Sequence, residues 1–481
     1  MANFAGFIGP SYTGRAMAAD AERSINLYLE KIESPTGATK SEYVLLSKPG
    51  LSLFCTLPNS ASILASFQSN GRAFAIAGGT LYELFSNGSF QARGNVGTGS
   101  AQMDSNQTQL FVVVGGAGFI FDLNANTLNA ITAAGWIPGS QIAGNIDGYF
   151  ICYEPNSQKF IISALNDGTQ WNALDFGDAE GQTGNLVGAI ADHRQLWLLC
   201  TDHAEVYYDS GNANFPFSRL EGAFLQTGLV APGSLQRCDN TIFWLGGDDK
   251  GAGIVWRANG YTPLRISNHA VEAAIQSYST ISDATAYVYQ DGGHTFYCLH
   301  FPSANNGLGA TWVYDQATQT WHERAFWQNG QYIGDLARTH CYCFGRHLAG
   351  DWQSGNIYVM SQSTYTDNGA PIRRVRTAPD LANGGKWTFY SELRLLMQTG
   401  VGLDGGATPG SDPQIVLKVS NDGGFTWGNE RSVSMGQLGQ YSLLVRWRRL
   451  GRSRNRAFQV IISDPVFVAL IAADLDTVNG Q

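Results

Sequence analysis

The sequence predicts an all-β protein: a β-propeller, with seven blades expected and six as the alternative count, followed by a small β-sandwich. Three observations predict it. Thr241–Ser267 reads as a three-stranded meander with tight turns. Strands like its first recur at a nearly constant spacing. A Pro/Gly/Asn-rich stretch at 377–385 then separates the repeat from a region that lacks it.

In the meander, Thr241–Leu245, Ile254–Arg257 and Tyr261–Ile266 are β-branched or aromatic runs. Gly246–Gly253 and Ala258–Gly260 lie between them as Gly-, Asp- and Asn-rich turns. Short apolar runs bounded in this way are the signature of antiparallel hairpins. One such meander cannot bury its own faces and needs neighbours. Similar strands occur around Phe74, Phe111, Phe150, Trp197, Phe296 and Tyr342, besides Phe243 of the meander itself. Subtracting successive numbers gives gaps of 37, 39, 47, 46, 53 and 46 residues. Each is followed by a turn and a second strand, and several are preceded by a weaker one. Four strands per unit at a period near 45 residues is the pattern of a propeller, and its persistence weighs against an evenly spaced large sandwich.

Residues 1–60 precede the first full unit. Ser24–Glu30 and Leu51–Leu57 look like strands, and Leu51–Leu57 is expected to close the ring by completing the last blade. Residues 61–376 hold the seven units. Phe217–Pro232 is expected to project as a long link, and Ile372–Arg376 to form the last strand of the ring. The linker at 377–385 marks the domain boundary. In 386–472, Trp387–Met397, Gln414–Val419, Tyr441–Trp447, Ala457–Ile462 and Val466–Ala472 alternate as half-buried strands do. Residues 473–481 read as a frayed tail.

Composition narrows the function. Only 14% of the 481 residues are charged, the net charge is −9, and 57 are glycine. That charge argues against general nucleic-acid affinity, which comes from phosphate neutralisation. The seven cysteines are odd in number and scattered, several alternating with apolar residues on expected strands, so they read as buried thiols. No basic region followed by an apolar run opens the chain, and no run reaches membrane-spanning length, so synthesis in a cytoplasm without a signal peptide is expected.

The chemical motifs are few. Ser420–Trp427, SNDGGFTW, matches the Asp-box hairpin with Ser420, Asp422, Gly424, Thr426 and Trp427 in place. Its carboxylate ties a tight turn, so the role is structural. Sialidases carry several copies, in propeller blades, whereas this one lies outside the ring and no pair of catalytic carboxylates accompanies it. Gly400–Gly405 matches GxGxxG but precedes Gly406-Ala407-Thr408-Pro409 rather than a helix, so it reads as a loop. His340, Cys341, Cys343 and His347 have the types for zinc, but a strand puts both cysteines on one face and structural burial is favoured. No catalytic, metal-binding or cofactor-binding residues are expected. The strongest charge feature is RWRRLGRSRNR, with Arg446, Arg448, Arg449, Arg452, Arg454 and Arg456. Either these pair with nearby carboxylates on a solvated hairpin, or they form a basic docking surface.

Several stretches together resemble one phage family. They are Gly6–Arg15 with Ile25–Glu30, Asn166–Gly181, Gly233–Glu272 and Ser420–Phe458. They are similar to the packaged-DNA stabilisation proteins of short-tailed bacteriophages, also called tail hub or nozzle proteins. The resemblance implies a propeller with an added β-domain and a homo-oligomeric ring of six copies below the head-to-tail adaptor. It also implies retention of packaged double-stranded DNA and mounting of a tail needle, spike or fibres. The expected protein is a non-enzymatic component of the virion tail. The alternative is a lectin-like propeller recognising host glycan. The turns at Gly78-Gly79, Glu154–Gln158, Asp202-His203 and Asp248–Gly251 differ, which disfavours a glycan site repeated in each blade.

Overall fold

The computed structural model describes residues 2–16, 20–33, 41–58, 61–248, 251–404 and 408–479. Strands dominate, and they assemble into seven successive antiparallel sheets and one sandwich. The first sheet runs through Ile63–Ser69, Arg72–Ala77, Thr80–Leu84 and Phe90–Asn95. The second, third and fourth repeat this up-and-down order over Ala101–Ala130, Gln141–Asp178 and Leu186–Leu225. The fifth contains the meander, as Thr241–Asp248, Gly251–Asn259 and Thr262–Arg265. Both long strands extend into the stretch expected to be a turn, leaving only 249–250 between them. The sixth begins with Thr285–Asp291 and the seventh with Ala337–Cys343.

The leading strands touch in a cycle. Ile63–Ser69 meets Ala101–Ser105, which meets Gln141–Ile146, which meets Leu186–Asp192. The turn Pro232–Ser234 and Gln236–Cys238 of the fifth sheet carry the contact to Thr285–Asp291, which meets Ala337–Cys343, which returns to Ile63–Ser69. Apolar side chains between successive sheets supply the core. Phe74, Phe111, Phe150, Trp197, Phe243 and Phe296 are all buried. Tyr342 breaks the rule at 56% exposed: it lies on the leading strand of its sheet, whereas the other six lie on strands that follow a leading one, and Cys341 and Cys343 take the inward positions there. With a side-chain period of two, a shift of one residue reverses the face.

Gly50–Thr56 is the outer partner of Asn356–Ser361 in the seventh sheet, so a strand from near the start of the chain completes its last blade. Gly50 must be glycine there: a Cβ would sit 2.3 Å from the Thr364 carbonyl oxygen. Phe217–Pro232 does not project. Phe217–Leu225 is the fourth strand of its sheet, and Gly228–Leu229 joins the fifth.

The N-terminal segment and the C-terminal region correct the expected boundaries. Residues 1–60 are not a preface to the propeller. Ala2–Asn3, Leu27–Lys31 and Tyr43–Ser47 lie in one sheet of the sandwich with Ala469–Asn479, Thr388–Met397 and Val445–Ser453. Ala21–Ile25 lies in the other, between the sixth propeller sheet and Arg374–Thr377. Arg374–Thr377 is therefore a sandwich strand and not the end of the ring, paired on its far side with Asn455–Ile462. The expected linker is anchored: Ala378 is buried and Leu381–Ala382 pairs with Arg456 and Asn455. The expected tail is the end of a strand, Ala469–Asn479, which pairs along Thr388–Met397 and, on its other side, with Tyr43–Ser47 at Ala469 and Leu470 and with Ala2–Asn3 at Asp474 and Leu475. Its Leu470, Ala473 and Leu475 face the sandwich core, so it has the apolar alternation that a frayed end lacks.

Buried charge ties the N-terminal segment to both domains. Lys48 Nζ lies 2.5 Å from Asp335 and 2.9 Å from Asp367, with all three side chains almost inaccessible. Arg374 donates to Ser47 Oγ at 2.8 Å and to the Asp464 carbonyl at 3.0 Å. Arg376 donates to the carbonyls of Phe7, Pro10 and Gly6, each at 2.7 Å, and pairs with Glu22. Arginine satisfies several carbonyls at once because its donors form a rigid fork. Asn26, with φ 59°, bonds Ala325 through both amide atoms at 2.8 and 2.9 Å, stitching the N-terminal segment to the sixth sheet.

Candidate docking surfaces

Arg446, Arg448, Arg449 and Arg452 lie on Val445–Ser453, an edge strand whose only ladder partner among the described residues is Thr388–Met397. That strand ends the sheet order that begins with Leu27–Lys31, the strand packed against the sixth propeller sheet. The arginines thus sit at the edge of the sandwich away from the ring. Cross-strand pairing decides what each one meets. Arg448 faces Glu392 and donates to it at 2.8 Å, and Glu392 also faces Asp476. Arg446 faces Arg394, which faces Asp474. The outer face therefore carries two rows of mixed charge. The Arg448 and Arg394 hydrogen bonds hold the Glu392 carboxyl below its ordinary range.

Arg452 and Arg454 stack on the Trp387 ring, 4.6 and 4.9 Å from its centroid. Such cation–π contacts keep a guanidinium exposed while fixing its position. Arg449 sits at a bulge with φ 58° and is exposed. Arg456 corrects the expectation of six surface arginines. It is 2% exposed, donates to the Leu450 carbonyl and to Asn421 Oδ1, and lies over Tyr390 at 4.5 Å. It holds the two sandwich sheets together and is absent from the surface.

Sequence inspection did not single out the apolar cluster beside the arginines. Leu438, Tyr441, Leu443 and Leu444 are all exposed, Tyr441 at 73%, and they lead directly into the arginine strand. Leu396, on the partner strand, is also exposed. The signal was present in the sequence as a QLGQYSLL run just before a basic one. Contiguous exposed apolar groups with a charged rim mark interaction sites.

The Asp box forms as its motif requires. The Asp422 carboxylate accepts from the Thr426 backbone N–H at 2.9 Å and from the Ser420 hydroxyl at 2.6 Å. Gly423 and Gly424 take φ of 75° and 91°, and Ser420 Oγ accepts from the Gly424 N–H at 2.8 Å. The hydrogen bonds from Ser420 and Thr426 lower the Asp422 pKa to about 2. Trp427 is half-buried and lines a cleft of about 720 Å³ between helix His269–Gln276, the sixth sheet and the sandwich. A bidentate Arg23–Glu323 pair, 2.7 and 2.6 Å, occupies part of that cleft.

The remaining candidates separate. Cys341 and Cys343 pack into the apolar layer with Cys55 and Leu348, while His340 bonds His347 at 3.0 Å and stacks near Tyr287. Burial lowers the His340 pKa to about 3. Among the described residues no group of three or more His, Cys, Asp or Glu is placed to hold a metal ion. Each of the seven cysteines is a buried free thiol. Gly405 of the GxGxxG match lies outside the described residues. No helix of the described residues is long and apolar enough to cross a membrane.

A ring of antiparallel sheets joined to a β-sandwich defines the chain as a β-propeller protein with an added β-sandwich domain. The chain belongs to the family of bacteriophage P22 Gp10, a family of phage tail proteins: the family's beta-propeller model matches residues 25–365 and its beta-sandwich model residues 373–478. No curated protein sequence matches significantly. Among solved structures, the computationally designed Ika8 protein is 12% identical over 64% of this chain and 99% of its own, with a TM-score of 0.39. The extracellular domain of the putative one component system BT4673 from B. thetaiotaomicron is 9% identical, covering 86% of this chain and 58% of its own, with a TM-score of 0.44. A streptogramin B lyase is 9% identical over 70% and 98%, with a TM-score of 0.40.

Proposed function

We propose that this chain is a non-enzymatic structural component of a short-tailed phage tail. Six copies form a ring below the head-to-tail adaptor, close the DNA exit channel, retain the packaged genome and mount a needle, spike or fibres. The chain is made in the host bacterial cytoplasm and resides in the virion tail. The observation that carries this reading is the family match, which runs through both domains.

Charge supports it. Residues 373–479 hold thirteen arginines and lysines against nine carboxylates, a net +4, which leaves −13 on residues 1–372 of the chain's −9. Affinity for the duplex comes from neutralising phosphates, so a propeller of this charge lets double-stranded DNA pass without gripping it. The domain junction supports it too, since the buried Lys48 contacts with Asp335 and Asp367 and the Asn26 bonds to Ala325 make a firm mount for attached parts.

The test is assembly without this chain. Heads should fill and then lose their DNA, and purified tails should contain the chain in a ring at the channel mouth. Particles that lack it yet keep their DNA and infect normally would overturn the proposal.

A further inference from the structure

The chemistry of the arginine face has a counterpart on the propeller. In the third sheet the outer strand Asp167–Asp178 slips register: Trp171 faces Ser163, yet Phe176 faces Ile161, so Asn172–Asp175 bulges out. Leu174 on that bulge is 79% exposed, beside Asp175, with Glu180 exposed just beyond the strand. In the fourth sheet the outer strand slips in the same way between Arg219 and Phe224, carrying Glu221 to the surface. The Tyr207 hydroxyl bonds the Asp178 carbonyl at 2.7 Å and ties the two sheets together. Bulges that interrupt an outer strand re-aim side chains for contact. Both surfaces mix charge around exposed apolar groups, but arginines outnumber Glu392, Asp474 and Asp476 on the sandwich face, while Asp175, Glu180 and Glu221 outnumber Arg219 and Lys159 on the propeller face, and Arg219 is already paired with Glu205.

Their positions match as well. In the contact cycle the third and fourth sheets lie across the ring from the sixth and seventh, to which the sandwich is attached. The arginine strand is at the sandwich edge away from the propeller. The two surfaces therefore stand on opposite sides of the molecule. Different, complementary patches on opposite sides give head-to-tail contacts, which build a ring when the rotation from one copy to the next closes.

We propose that the arginine face of one copy, with Tyr441 and Leu444, docks on the bulged outer edge of the third and fourth sheets of the next copy. This rests on the ring described under Proposed function and names the surfaces that build it.

The test uses the full chain in analytical ultracentrifugation at low and high salt, with circular dichroism melts as the check on folding. Arg446→Glu with Arg449→Glu should weaken self-association at least tenfold, and so should Asp175→Lys with Glu221→Lys. Mixed in equal amounts, the two variants should assemble again, because each restores the opposite charge to the other in an alternating ring. Leu174→Asp should weaken association without touching any arginine. If either charge variant assembles like the unmodified chain, or the mixture does not recover, the surfaces are wrong while the ring itself stands. If the arginine variants self-associate normally but fail to join DNA-filled heads, the arginine face docks the adaptor and this inference falls. An unmodified chain that neither self-associates nor appears in tails would instead overturn the function.

Discussion

Replacing Lys48 by methionine should destabilise the whole chain. Lys48 Nζ sits between Asp335 and Asp367, and the three side chains are 1–3% exposed. Burial alone would lower the ammonium's pKa, but the two carboxylates outweigh it and the net shift is upward. Burial raises the Asp367 pKa even with Lys48 in place. Methionine leaves two carboxylates in a dry site with no cation between them. Breaking a buried pair by removing one partner costs about 3–5 kcal/mol. At roughly 2.1 cal/mol/K of unfolding entropy per residue, a chain of this length loses on the order of 3–5 °C of melting temperature. The pH dependence has a definite sign. Asp367, its pKa already raised by burial, binds a proton more readily when folded, so the variant recovers stability as pH falls. Melts at pH 5 and pH 8 should show the larger deficit at pH 8. Adding Asp335→Asn to Lys48→Met should recover part of the loss, since one fewer carboxylate is then left without its cation, while Asp367 stays as the charge partner of buried Arg374. A deficit below about 1 kcal/mol, or one that grows at pH 5, would refute the argument.

Three further outcomes are expected. Asp422→Ala should lower the melting temperature of the sandwich; in the unmodified chain the Asp422 contribution is present above its unfolded pKa, roughly 4, and lost as pH falls through about 2, so a scan that shows no acid-side change for either protein contradicts it. His203 is buried, which lowers its pKa, but hydrogen bonds with Cys200, Glu205 and Asp202 raise it to about 10. Its stabilisation should be complete below the unfolded value, roughly 6.5, and disappear as pH rises through about 10; His203→Gln should flatten that slope in thermal melts. Phe7→Ala should cost about 3–5 kcal/mol, measured by denaturant titration, because Phe7 is fully buried in the sandwich core despite its place near the chain start.

The propeller was legible because its signal is local. A strand, a turn and a second strand repeat within each unit, and Phe74, Phe111 and Phe150 sit in continuous apolar runs, as strands buried on both faces do. The seventh unit shows where that reasoning stops: Tyr342 is the aromatic of its strand, but the two cysteines beside it fill the interior. The sandwich boundaries were less legible because its partners are far apart in sequence. Nothing local in Ala21–Ile25 announces Arg374–Thr377 as its neighbour, and nothing in Ala469–Asn479 announces Tyr43–Ser47. The arginine run could be read as charge but not as individual roles. Pairing puts Arg448 on Glu392, Arg452 and Arg454 on Trp387, and Arg456 between two aromatic rings inside. The Asp box was fully legible, since Asp422 and Thr426 are only four residues apart.

The strand Gly50–Thr56 has a mechanical consequence. Upstream, the chain passes through Lys48 into Tyr43–Ser47 of the sandwich; downstream, it enters the first sheet at Ile63. The strand is hence a tie whose two ends are fastened in different bodies. A pressure that spreads the seventh sheet from the first pulls on it lengthwise, and its backbone bonds to Asn356–Ser361 bear the load together instead of yielding one by one. To free it at the upstream end, the load must also extract Lys48 and undo the sandwich. The C-terminal domain thus acts as the buckle of the propeller, and resistance to opening is set partly by residues that lie outside it.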